Sequence, residues 1–162
     1  MSDAFYIALV IVILCFGFVL LFGAPYLPTM SKQIDTAFQL AKLKSGQTII
    51  ELGSGDGRVA VAAAKRGANV IAYELNPLLV IFSKLRCFRY RKNIKIIWAN
   101  FWNVDLPEAD IIFTFLLPKY MTKLDKKLSE YKHKPVMFVS YAFEIPKKKP
   151  FAKKNGVFLY KY

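Results

Sequence analysis

Residues 4–22 form one unbroken apolar run with no charged side chain and no polar stripe. A helix of that length spans roughly 28 Å, which matches the hydrocarbon core of a bilayer. The run predicts a transmembrane helix within an anchor segment over 1–24. A cleaved signal peptide would need Lys or Arg ahead of the run and a small-x-small site after it, and the sequence has neither. Asp3 precedes the run, while Lys32, Lys42 and Lys44 follow it. The positive-inside bias then predicts a single pass with the N-terminus outside and the body cytoplasmic, as in a prokaryotic plasma membrane. Pro25 and Pro28 cannot continue the helix, so 25–30 reads as a short, stiff connector.

Beyond the connector the period changes repeatedly. Ile34, Ala37, Phe38 and Ala41 recur at helical spacing toward a C-cap at Gly46. Thr48-Ile49-Ile50 up to Leu52 is a strand, 57–66 a helix closed by Gly67, and Val70-Ile71-Ala72-Tyr73 a second strand. Asn76-Pro77 caps a helix running to about residue 90. Strands follow at 94–98 and 111–115, a helix at 118–130, and strands at 136–140 and 157–160. Lysine-rich 147–154 has no helical pattern and reads as a basic loop. Strands alternating with helices predict an α/β domain over 31–162 with a Rossmann-like, doubly wound, mostly parallel sheet.

Charge and rare residues narrow the chemistry. The chain has 24 Lys+Arg against 11 Asp+Glu at 55% hydrophobic composition, a formal +13, and setting aside the −1 of Asp3, the one charged residue of 1–24, leaves +14 on the rest. Cys15 and Cys87 are far apart and His133 is the sole histidine, sitting between Lys132 and Lys134. These residues cannot build a disulfide framework, a zinc site or an imidazole-activated nucleophile, so no metal is expected. The lysines suit anionic headgroups, and signatures of specific nucleic-acid binding are missing.

In such a sheet ligands bind at the carboxyl ends of the strands. The first strand delivers Glu51-Leu52-Gly53-Ser54-Gly55-Asp56-Gly57, where glycines let the backbone turn and approach a ligand. Glu74, ending the second strand with Leu75 beside it, can accept hydrogen bonds from both ribose hydroxyls of a nucleoside. Dinucleotide sites use G-x-G-x-x-G, and here Arg58 occupies the third glycine's place. Asp56 and Arg58 are expected to pair with each other. Trp98, Phe101 and Trp102 are expected in the core or pocket wall, and Tyr26, Tyr73 or Tyr141 could face a cation.

Glu51-x-Gly53-x-Gly55-x-Gly57 followed by Glu74 resembles motif I and its acidic partner in class I S-adenosylmethionine-dependent methyltransferases. The resemblance implies that Gly53, Ser54, Gly55 and Gly57 wrap the methionine moiety, that Glu74 holds the ribose, and that Asn100 and Phe101 lie near adenine. Pro25-Tyr26-Leu27-Pro28-Thr29, Tyr73-Glu74-Leu75-Asn76-Pro77 and Thr114-Phe115-Leu116-Leu117-Pro118 add a closer likeness. They resemble the small membrane-anchored lysine methyltransferases that include those acting on the ATP synthase c-subunit and the ADP/ATP carrier. By that resemblance the fold is a minimal class I domain, the cofactor is S-adenosyl-L-methionine, released as S-adenosyl-L-homocysteine, and the acceptor is a lysine on a membrane-associated protein. Thr114, Tyr26 and Thr29 would orient the acceptor amine. The rival readings are methylation of a lipid or small molecule, and a catalytically silent basic binding module.

Overall fold

A computed structural model describes residues 3–22, 26–133 and 135–162, the side chains of 18–22 excepted. Helix α1 (Asp3–Phe22) precedes α2 (Ser31–Leu40). The domain then alternates through β1 (Thr48–Leu52), α3 (Arg58–Ala64), β2 (Asn69–Glu74), α4 (Pro77–Cys87), β3 (Ile94–Trp98), β4 (Ile111–Thr114), α5 (Pro118–Ser129) and β5 (Met137–Tyr141). A hairpin of β6 (Ala152–Lys154) and β7 (Val157–Lys161) closes it, and 3₁₀ turns follow α4 and β3.

The strands form one sheet in the order β3-β2-β1-β4-β5-β7-β6. β1 to β5 are parallel, while β7 runs antiparallel to both β5 and β6. Strand order reverses between β1 and β4, which places a topological switch point there. Because strand side chains alternate, each strand feeds two cores. Ile49, Val70, Ala72 and Phe113 pack with Phe38, Val59 and Ala60 on the α2–α4 side. Ile50, Leu52, Tyr73 and Ile112 pack with Met121, Leu124 and Leu128 of α5 on the other. The same alternation puts Glu51 and Glu74 on the α3–α4 face.

Several expectations need correction. The 147–154 stretch is not all loop: 152–154 form β6, paired with β7 across Asn155-Gly156, both at positive φ. The left-handed residue just after α2 is Lys42, at φ 51°, while Gly46 lies in the turn before β1. The expected transmembrane helix is also not met as stated. α1 forms, but among the described residues no helix is long and apolar enough to cross a membrane. Residues 23–25, including the start of the expected connector, lie outside the described residues.

Candidate active site

The switch point opens into a cavity of about 270 Å³. The chain turns there because Gly53 and Gly55 hold φ of 83° and 54°, a backbone region that side chains disfavour. Gly55 has a second constraint, since a Cβ there would lie 2.8 Å from the Tyr26 ring. Gly57 does not line the cavity. It caps α3 at φ 77°, and a Cβ on it would stand 2.9 Å from Cys87 Sγ, so its role is to let α3 and α4 approach.

Glu74 organises the loop. Its Oε2 accepts from Gly55 N–H at 2.7 Å, and its Oε1 accepts from the Leu75 and Asn76 N–H groups at 2.9 and 2.8 Å. Burial raises its pKa, and those three N–H donors partly offset the rise. Glu51 is more extreme. It is 3% exposed, and burial, then the charges of Glu74 and Asp56, push its carboxyl well above the usual carboxylate range. Among the described residues, buried polar atoms without a hydrogen-bond partner include Glu51 Oε2, Ser54 Oγ and Asn76 Nδ2, all on residues that line the cavity. Such atoms are costly to bury unless a polar ligand satisfies them.

The other expected residues divide clearly. Leu75, Asn100 and Phe101 line the cavity, as do Tyr26, Tyr73 and Thr29. Asn100 also caps the 3₁₀ turn Phe101–Asn103 by accepting from Trp102 N–H at 3.1 Å. Thr114 is a correction: it is fully buried, and its hydroxyl donates to the Leu52 carbonyl at 2.9 Å inside the sheet. The chain reaches the cavity one and two residues later, through Phe115 and Leu116. Tyr141 packs on Phe115, with ring centroids 4.5 Å apart, and does not line the cavity itself. Trp98 is in neither core nor wall; it is exposed on the edge strand, donating its indole N–H to the Leu75 carbonyl at 3.0 Å.

A latch that only part of the sequence pattern reveals spans the entrance. Asp56 is buried and pairs with Arg58 at 2.8 Å and with Arg86 of α4 at 2.7 Å. Burial alone would raise its pKa, but hydrogen bonds and charge from Arg58, helped by Arg86, hold it below the ordinary value. Arg58 also donates to the Thr29 carbonyl at 3.3 Å and to Tyr26 Oη at 3.5 Å. The strap 26–29 is thereby tied over the glycine loop. Arg58→Met is expected to weaken cofactor binding by about tenfold and to cost roughly 1–2 kcal/mol of stability. Titration and denaturant unfolding check the two effects separately.

With this geometry in place, comparison with known proteins defines the family. The sequence profile of the ANTKMT methyltransferase domain matches residues 51–152. The human ATP synthase c-subunit lysine N-methyltransferase is 32% identical over 124 residues, covering 75% of this chain and 53% of the relative. A protein-lysine N-methyltransferase of Saccharolobus islandicus is 29% identical over 125 residues, covering 75% of this chain and 78% of the relative. Among solved structures, an RNA methyltransferase from Salinibacter ruber bound to S-adenosyl-L-homocysteine superposes with a TM-score of 0.78 at 25% identity, covering 83% of this chain and 93% of that one. The chain belongs to the ANTKMT methyltransferase domain family, with the class I fold and S-adenosylmethionine as cofactor. It spans about half the length of the ATP synthase c-subunit methyltransferases it matches.

The residues present fit that cofactor. A nucleoside with two ribose hydroxyls and an amino-acid tail needs carboxylate acceptors and polar partners in a partly apolar cavity. Glu74, Glu51, Ser54 and Asn76 supply the polar groups, and Phe101 and Leu79 the apolar wall.

Proposed function

We propose that this protein methylates lysine side chains of a membrane-associated protein, working at the membrane surface. The observation that carries the reading is the composition of the cavity, lined by the buried carboxylates Glu51, Asp56 and Glu74 and by Tyr26, Trp102, Phe115 and Tyr120. S-adenosylmethionine supplies the activated methyl group and its own leaving group. The chain's work is binding, alignment and exclusion of water, which can account for several kcal/mol of a barrier.

Glu74 would hold the ribose, and the Gly53–Gly55 turn with Glu51 would hold the cationic amino-acid end. The aromatic wall receives the acceptor side chain. A lysine must lose its proton before it attacks, and its ordinary pKa is near 10.4. Apolar rings desolvate the ammonium and so lower that pKa, while their faces still attract the cation as it enters. Tyr26 and Thr29 also line the cavity and would orient the amine. The ammonium would release its proton to water before attack, and the neutral nitrogen, aligned by these residues, would take the methyl group in place of the departing sulfur and remain as a methylammonium.

The names of the relatives support lysine as the acceptor, and α1 supports the membrane. Phe5, Ile7, Val10, Ile11, Ile13 and Leu14 are all exposed on it, which leaves an apolar surface on several sides. Together with the basic body this favours attachment to a bilayer, with the catalytic domain on the cytoplasmic side of a prokaryotic plasma membrane. Two assays test the proposal. Incubating the full chain with labelled S-adenosylmethionine and a membrane fraction should label a protein on lysine, and mass spectrometry should find mono-, di- or trimethyl-lysine there. Label found only in lipid or RNA would refute the acceptor assignment. Carbonate extraction should leave the protein in the membrane pellet, and release into the supernatant would refute the attachment.

A further inference from the structure

α4 carries a second apolar face that the fold leaves uncovered. Val80, Ser83 and Cys87 point into the core. On the opposite side Ile81, Phe82, Leu85 and Phe88 are 58%, 50%, 69% and 64% exposed. At 100° per residue these four fall within one sector of the helix and its 3₁₀ extension, about 180° from the buried stripe. Surface helices normally carry charge on that side, so four large apolar side chains together mark an interaction surface.

The surrounding charge selects the partner. Residues 75–104 contain six Lys or Arg and no Asp or Glu. Arg86 is committed to Asp56, whereas among the described residues Lys84, Arg89, Arg91, Lys92 and Lys95 are exposed and join no ion pair. The guanidiniums of Arg86 and Arg91 lie over the Phe82 and Phe88 rings, at 5.3 and 4.6 Å from their centroids. Aromatic and aliphatic side chains flanked by cations are the composition of a helix lying in the interface of an anionic bilayer, with apolar groups in the acyl boundary and cations among the headgroups. The helix that carries this face also meets the apolar leader. α1 touches α4, and α1's Phe16 and α4's Leu79 both line the active-site cavity.

We infer that the outer face of α4, carrying Ile81, Phe82, Leu85 and Phe88, docks on an anionic lipid surface and thereby sets the active-site mouth at headgroup level. The inference rests on the membrane attachment proposed above and goes beyond it, because an anchor alone leaves the body's orientation free. The consequence is a restriction on substrate: accessible lysines are those within a few ångströms of the bilayer surface.

The test uses the full chain in nanodiscs of phosphatidylcholine and phosphatidylglycerol at a 3:1 ratio, with brominated acyl chains as a fluorescence quencher. Leu85→Trp places a reporter at the centre of the face, and Lys126→Trp places one on exposed α5 as a control. Emission in excess of the two native tryptophans should be quenched at least twofold more for Leu85→Trp than for Lys126→Trp, and replacing the anionic lipid by phosphatidylcholine should reduce the difference. Incorporated protein in which both reporters are quenched equally would overturn the inference while leaving the anchor intact. Protein that stays out of the nanodiscs would overturn both. Self-association of the wild type that Leu85→Ser abolishes, with no lipid quenching, would assign the face to a second copy of the chain and also overturn it.

Discussion

Glu74→Ala is expected to weaken S-adenosylmethionine binding by at least about 100-fold, or ~3 kcal/mol. The side chain does two jobs. It accepts the Gly55, Leu75 and Asn76 N–H groups, fixing both the glycine turn and the start of α4. It also presents the only carboxylate at the end of β2, where ribose hydroxyls would donate. Alanine leaves three donors unpaired and removes the acceptor, so stability should fall as well, by roughly 2 kcal/mol. Glu74→Gln separates the two roles. Its carbonyl oxygen can still serve Leu75 and Asn76, but its NH2 group then meets the Gly55 N–H, donor against donor. Stability should largely recover while affinity stays at least tenfold low. Equal affinity for the wild type and Glu74→Gln would show that the carboxylate serves the loop alone.

Glu51→Gln should have opposite effects on stability and binding. Glu51 is buried against α3 with one oxygen unpartnered, and its pKa is raised by burial and then by Glu74 and Asp56. A carboxyl whose pKa is raised on folding contributes stability that is complete below the ordinary carboxylate range and is lost as pH climbs through the raised value. The ligand-free wild type should therefore lose stability as pH rises above the ordinary carboxylate range, and Glu51→Gln should lose less. At pH 8 the variant should be the more stable, and the difference should shrink toward pH 5. Cofactor affinity should drop about 10- to 100-fold, because the cationic amino-acid end loses its countercharge. Thermal unfolding at the two pH values and one titration check this. A variant destabilised equally at both pH values, with affinity intact, would make Glu51 a structural residue.

Much of this site is legible because period and chemistry coincide. The apolar runs through Ile49-Ile50-Glu51-Leu52 and Val70 to Glu74 place both carboxylates near strand ends, and Gly53 and Gly55 between them mark a sharp turn. Other features depend on partners remote in sequence. Thr114 reads as available at the end of β4, but its register beside Leu52 turns the hydroxyl into the sheet. The Asp56–Arg58 pair is visible from its spacing, whereas Arg86 arrives from another helix and Phe16 from α1. β6 lacks any apolar alternation, and its local signal is the Asn155-Gly156 turn, a pair that favours tight hairpins. Trp98 departs from the expected burial because an edge strand has one neighbour and need not bury its last side chain.

The most direct test of the central claim is calorimetric titration of the full chain with S-adenosylmethionine, S-adenosylhomocysteine and NAD. One-to-one micromolar binding of the first two is expected, lost in Glu74→Ala, with no heat from NAD. Binding of NAD, or folded protein that takes up neither sulfur nucleoside, would contradict it.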